Sequence, residues 1–241
     1  MLERPCGRRK IKEEKIKSFD YYFFDLYFTL IFPKYNEVDI KNEFGILGIS
    51  SSQWEELAKV GYSNRAIGNI TDPLEMIKDI VNLLNIEIED EKILKILEVR
   101  KERYKKANIL IKNSIMNTIC ELHSLGKKLV LVSNADIIDK MYWPENPLSK
   151  YFSSSVFSYD VGILKPNKEI YQIAINSVNA DINKSVFIGD GGHNELLGAK
   201  SLGFQTILTT EIISKTWPDN IQRLSKDADY VISNLSELID Y

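Results

Sequence analysis

Residues 21–32 read YYFFDLYFTLIF, an apolar run interrupted by a single carboxylate, Asp25. Apolar residues on both sides of that position predict a strand buried on both faces, as in a parallel sheet. A buried strand rarely keeps a carboxylate without a use. In an open α/β sheet the ligand crevice lies at the carboxyl ends of the strands, and Asp25 falls where this strand is expected to end. The plainer alternative is an Asp that caps the following turn, and this stretch alone leaves both open.

The rest of the chain supplies more strands of the same kind. KKLVLVSN (127–134) closes on Ser133 and Asn134, SSVFSYD (154–160) is a third strand, and SVFIGD (185–190) ends in Gly189 and Asp190. FQTILTT (204–210) and DYVIS (229–233) complete the set. Helical patterns alternate with them: about Asn113 to Leu125 with Gly126 as its stop, about Asp136 to Tyr142, a helix entered at Pro166 after Lys165, and a short one in GGHNELLGAKSLG (191–203). The alternation predicts an α/β fold with a doubly wound parallel sheet.

Between the first strand and residue 112 the pattern is helical only. Ser52 with Glu55 reads as a capping box ahead of Trp54 and Leu57. Asp72, Pro73 and Glu75 open a second helix carrying Met76, Ile77, Ile80, Val81 and Leu84, and a third spans about Asp90 to Lys106. A stretch this long without a strand signal predicts an all-helical insert. The expected division is a basic N-terminal extension at 1–18, an α/β core at 19–33 and 112–241, and a helical module at 34–111.

Composition narrows the function classes. The chain has 241 residues and a formal charge of −3, which gives no polyelectrolyte signature and no expectation of nucleic acid. Residues 1–18 hold seven Lys or Arg against three Glu and no apolar stretch of signal or membrane length. They read as a solvated tail or a weak anion-binding arm. Two cysteines, Cys6 and Cys120, and two histidines, His123 and His193, make neither a disulfide framework nor a zinc site. A reducing, cytoplasmic setting without membrane contact is the expectation.

Asp25, Ser133, the Lys165 loop and Asp190 are all expected on one edge of the sheet. Taken together and in this order, FFDLYFTL, LVSN, LKP and IGDGGHNELLGA resemble the four motifs of the haloacid dehalogenase (HAD) superfamily. The resemblance covers about residues 20 to 238. It implies a Rossmann-like core and, for residues 34–111, a helical cap that closes over the strand ends.

The chemistry fits the residue types. A carboxylate that attacks a phosphoryl group forms an aspartyl-phosphate and splits one difficult displacement into two, which makes Asp25 the expected nucleophile. Two anions approach only with charge neutralisation, and Mg²⁺ is the hard ion suited to supply it. By the resemblance, Asp25, Asp190 and the backbone carbonyl of Tyr27 hold the ion. Lys165 adds a point charge, and Ser133 and Asn134 offer neutral donors to the transferring group. Glu195 matches the second acid of the fourth motif and is expected to bind the metal or its water, the alternative being a dipole-favoured Glu in a first helical turn. Gly191 and Gly192 suit a tight turn, His193 an exposed turn, and Asp136 a helix start. In GYSNRAIGN (61–69), Tyr62, Asn64 and Arg65 are possible substrate contacts, Arg65 for an anionic group unless it is an ordinary exposed Arg.

One position departs from the pattern. Phosphatases of the superfamily usually carry an Asp two residues after the nucleophile, where it protonates the leaving oxygen; this chain has Tyr27. Such acid–base assistance contributes about 10²–10⁴-fold. Tyr at that position resembles the superfamily's 2-haloacid dehalogenases, whose departing halide needs no proton. The acids of the fourth motif favour a metal-dependent phosphatase instead, because surplus carboxylates beside the nucleophile of a metal-free site carry a desolvation cost. The expected function is a Mg²⁺-dependent phosphatase for a small phosphorylated metabolite, working as a monomer or homodimer. The alternatives are a dehalogenase-like hydrolase and a domain that binds a ligand or protein without turnover.

Overall fold

The structure, a computed structural model, describes residues 19–239. The basic segment 1–18 and Cys6 lie outside the described residues.

Six parallel strands form one sheet: β1 (Tyr21–Phe24), β2 (Lys128–Ser133), β3 (Phe152–Phe157), β4 (Ser185–Gly189), β5 (Gln205–Thr209) and β6 (Tyr230–Ile232). Their order is β3-β2-β1-β4-β5-β6, so β1 is central and the connection direction reverses on either side of it. That reversal is the switch point at which doubly wound sheets bind ligands. The alternation of β1 builds both faces at once. Tyr22 and Phe24 enter a core with Leu129, Leu131, Val186 and Ile188, while Phe23 enters the opposite core with Val130, Val132 and Phe187. This is why the strand reads as a continuous apolar run.

The strand ends where the sequence suggests, immediately before Asp25. Pairing stops at Phe24, and Asp25 to Phe32 form a tight turn rather than more strand. The Leu26 carbonyl accepts from the amides of Leu30 (2.9 Å) and Ile31 (3.0 Å), and Phe28 takes a left-handed conformation at φ 61°. Apolar side chains at 26, 30 and 31 are buried from the turn, so hydropathy alone does not distinguish it from strand.

Between β1 and residue 112 the helices are α1 (Glu43–Leu47), α2 (Ser51–Lys59), α3 (Tyr62–Ala66), α4 (Pro73–Val81) and α5 (Asp90–Ile109), with short 3-10 turns and no further strand among the described residues. The insert packs around Phe44, Trp54, Met76, Ile77, Ile80, Val81, Ile93 and Ile96, a core completed by Ile138 from the segment after β2. The capping box of α2 is Ser50 with Gln53, two residues before the expected Ser52 and Glu55. Asp72 caps α4 by accepting from the Leu74 amide at 2.7 Å, with Pro73 in the first turn as expected.

Two buried arginines of α5 attach the insert. Arg103 donates to Glu43 (2.5 Å) and to the Pro33 carbonyl (2.9 Å), tying the helix to the chain leaving the first strand. Arg100 reaches Asp136 (3.0 Å) and Asp139 (3.2 Å) at the start of α7 (Ile137–Met141), in the segment after β2. Removing one member of such a buried pair typically costs about 3–5 kcal/mol, since the other charge is left unpaired. The remaining main helices are α6 (Asn113–Ser124), α8 (Ser158–Val161), α9 (Lys168–Val178), α10 (Glu195–Lys200), α11 (Ile213–Thr216) and α12 (Ile221–Leu224). Pro166 lies just before α9, as expected, and Asn167 caps the helix. No helix among the described residues is long and apolar enough to cross a membrane.

Candidate active site

The register brings the polar strand ends together. Phe24 is level with Leu131 and with Ile188, and the Asp25 amide donates to the Ile188 carbonyl at 2.9 Å. One residue past the strand, Asp25 therefore stands beside the ends of β2 and β4. Asp25, Asp190 and Glu195 offer carboxylate oxygens that lie within 4.8 Å of one another, all three residues buried. Lys165 Nζ sits between two of them, 2.6 Å from Asp25 Oδ1 and 2.6 Å from Glu195 Oε2. The Thr29 hydroxyl donates to Asp25 Oδ2 at 3.1 Å.

The turn after β4 explains how two acids five residues apart meet. Gly191 has φ 83°, and its amide donates to Glu195 Oε1 at 3.1 Å. Gly189 permits the approach, because a Cβ there would lie 2.0 Å from Glu195 Oε1. Asp190 is held by the Gly192 amide at 3.0 Å. Glu195 opens the first turn of α10, yet its carboxylate turns inward to Lys165.

Three carboxylates surround one lysine, and the electrostatics reflect the excess. Burial, and then the proximity of Asp25, push the Asp190 carboxyl up to about 6. The same two causes hold Glu195 well above the usual carboxylate range. Burial opposes the charged form of Lys165, but Asp25 and Glu195 outweigh it and raise the ammonium above its ordinary value. The donor set is all oxygen and carries surplus negative charge, a chemistry that fits a hard divalent cation such as Mg²⁺.

Other expected residues take different places. Ser133 is fully buried at the end of β2, with its hydroxyl 3.3 Å from the Asn134 carbonyl. Asn134 lines the cleft, but its side chain grips the Lys165 backbone, accepting from the amide (2.8 Å) and donating to the carbonyl (3.1 Å). It sets the lysine loop. Arg65 does not line the cleft: it is 1 % exposed and donates to Asp79 (2.7 Å) and to the carbonyls of Val60 (2.8 Å) and Ala58. Its sequence gave no sign of this, because the acid that engages it is on another helix. His193 is exposed in the turn after β4, as expected, and its ring stacks on Tyr62 of the insert at 5.7 Å.

Tyr27 donates its phenolic hydrogen to the Asp139 backbone carbonyl at 2.5 Å and packs edge-on against Tyr104. Burial, followed by the nearby Asp139, raises its pKa well above that of an ordinary phenol. Sequence reasoning missed this neighbourhood. Asp136 caps α7 as expected, but it also shares Arg100 with Asp139, whose carboxyl burial and the Asp136 charge push up to about 7. Thr29 was missed as well; its only signal is a hydroxyl four residues after Asp25 in a turn.

The constellation meets, through Lys165, a cleft of about 530 Å³ lined by Tyr62 and Ser63 from the insert and by Asn134, residues 162–167, His193 and Asn194 from the core. A second depression of about 470 Å³, formed by residues 69–82, contains none of these groups.

A family model described as haloacid dehalogenase-like hydrolase matches residues 22–203. Among curated proteins, the chain is 27% identical over 128 residues to a glyceraldehyde 3-phosphate phosphatase of Methanothermobacter thermautotrophicus, covering 51% of this chain and 56% of that one. The chain thus spans about half the length of the curated relatives it matches. A HAD family enzyme of Bacteroides thetaiotaomicron, solved with magnesium and inorganic phosphate, superposes with a TM-score of 0.60 at 20% identity, covering 79% of this chain and 94% of that one. The L-2-haloacid dehalogenase of Xanthobacter autotrophicus superposes at 0.61 and 13% identity, covering 91% and 96%. At such identities the two structures agree with this one in fold.

Proposed function

Because the chain belongs to the haloacid dehalogenase-like hydrolase family, we propose that it is a Mg²⁺-dependent phosphatase that transfers the phosphoryl group of a small metabolite to Asp25. The observation that carries this reading is the surplus of buried carboxylate: Asp25, Asp190 and Glu195 around a single Lys165. In a metal-free dehalogenase the charge not matched by the lysine would be a standing cost.

Asp25 and Asp190 would hold the ion directly, with the Tyr27 carbonyl, and Glu195 would hold it or its water. When bound, the ion neutralises charge on the phosphoryl oxygens. An Asp25 oxygen attacks phosphorus; the new P–O bond forms as the ester P–O bond breaks, and its electron pair leaves with the alcohol oxygen. Water then cleaves the aspartyl-phosphate, and its proton balances the alkoxide. Thr29 fixes one carboxylate oxygen and Lys165 the other, so the nucleophile needs little reorganisation. Asn134 positions Lys165 through the backbone.

Tyr27 does not replace the missing acid in this reading. Its hydrogen is committed to a backbone carbonyl, and its raised pKa makes it a weaker proton donor than a free phenol. The rate should therefore climb steeply as the leaving-group pKa falls, and Tyr27→Phe should leave that slope unchanged. Leaving-group plots over aryl and alkyl phosphates measure both. A shallow wild-type slope that steepens in Tyr27→Phe would make the tyrosine the acid. The same residue is what favours the second reading, a dehalogenase-like hydrolase. Phosphate release from an aryl phosphate with and without Mg²⁺, set against halide release from a 2-haloacid, separates the two.

Metal binding has its own test. At a free Mg²⁺ concentration ten times Kd, mass action stabilises the folded state by about 1.4 kcal/mol, a rise in Tm of about 3–6 °C for a chain of this size. Asp190→Ala should erase that rise. An equal Mg²⁺ shift in both proteins would remove Asp190 from the metal site.

A further inference from the structure

Resting on the phosphatase reading, we infer that the leaving group this site accepts is uncharged and hydroxylated, of the polyol or aldose type, and that a second anion on the substrate is rejected. The ground for this is the cleft that Lys165 lines, with its ammonium 2.6 Å from Asp25. Among the described residues that line it, Lys165 is the only Lys, Arg, Asp or Glu, and its ammonium is already engaged by Asp25 and Glu195. What remains on the lining for the leaving group is Ser63 and Asn194, with the stacked rings of Tyr62 and His193 joining insert to core on one side; the Asn167 oxygen is taken by the Glu169 amide.

The insert has no free guanidinium to send in. Each arginine between β1 and β2 is buried and paired: Arg65 with Asp79, Arg100 with Asp136 and Asp139, and Arg103 with Glu43. Lys168, close in sequence to the lining, is exposed and outside it. A carboxylate or second phosphate on the leaving group would lose its hydration without gaining a cation from the described residues that line the cleft. Hydroxyl and amide groups behave differently. Ser and Asn offer both donors and acceptors, so a hydroxylated leaving group exchanges water for equivalent partners.

A matched pair tests this: glycerol 3-phosphate and 3-phosphoglycerate share a carbon skeleton and differ in a terminal hydroxymethyl against a carboxylate. With Mg²⁺ present, kcat/KM should favour glycerol 3-phosphate by on the order of 10-fold or more. Ser63→Lys, at an exposed position on the insert side of the cleft, should narrow or reverse that ratio by raising the 3-phosphoglycerate value. Equal values for the two esters, a preference for the acid, or a ratio untouched by Ser63→Lys would overturn the inference. p-Nitrophenyl phosphate is the control. Its turnover together with a wrong ratio sinks this inference alone, whereas no turnover of any ester sinks the phosphatase reading and this inference with it.

Discussion

Asp25→Asn loses turnover by on the order of 10⁴-fold or more, the scale on which removal of a nucleophile acts. An amide oxygen does not attack phosphorus usefully, and the substitution withdraws one of the charges offered to a metal. The structure adds a prediction about stability. Asn keeps an oxygen to accept from Thr29 or Lys165, and Lys165 retains Glu195 as a partner at 2.6 Å. One of three crowded carboxylates becomes neutral while the lysine stays paired. The variant should therefore melt at or above the wild-type temperature when both are in EDTA. Steady-state kinetics on an aryl phosphate and a thermal melt check the two halves together. Wild-type turnover would remove Asp25 from the mechanism, and a collapse in Tm alongside lost activity would mean that its role is structural.

Lys165→Met should separate from Asp25→Asn in the second measurement. Both lose activity, the lysine variant by about 10²–10³-fold, as when one preorganised charge is removed from a transition state. Lys165→Met, however, leaves Asp25, Asp190 and Glu195 without the cation that holds them together. Breaking such a buried pair costs about 3–5 kcal/mol of unfolding free energy in EDTA, less whatever the acids recover by taking up protons. Mg²⁺ should restore a larger share of Tm in this variant than it adds to wild type, because the ion meets more uncompensated charge. An unchanged melt in EDTA would show that Lys165 is not the counter-charge of the cluster.

Arg65 and Asn134 illustrate how far side-chain chemistry could be read in advance. Both are polar residues in the right neighbourhood, and both were expected to meet substrate. Arg65 instead fills a buried slot between α2 and α4, capping two carbonyls and pairing with Asp79, while Asn134 is joined to Lys165 by two hydrogen bonds to its backbone. The choice between a ligand and a neighbouring carbonyl depends on which acceptor the packed chain brings closest. Nothing local in GYSNRAIGN or LVSN encodes that distance.

The sequence by itself determined the sheet, the helical insert and the strand ends that carry chemistry. Buried parallel strands must be apolar on both faces, and turns between strand and helix need particular residues, so these features are written locally. It also determined that Asp25, Ser133, Lys165, Asp190 and Glu195 belong to one edge, through the order of motifs along a doubly wound topology. Only the tertiary structure decided how those residues share protons and charge. Lys165 is paired with Asp25 and Glu195, Tyr27 points its hydrogen at Asp139, and Tyr62 meets His193 across the cleft. These contacts join positions tens of residues or more apart. Whether two polar groups lie 2.6 Å or 6 Å apart is fixed by the packing of whole elements against each other, roughly one ångström at a time, which periodicity and spacing do not specify.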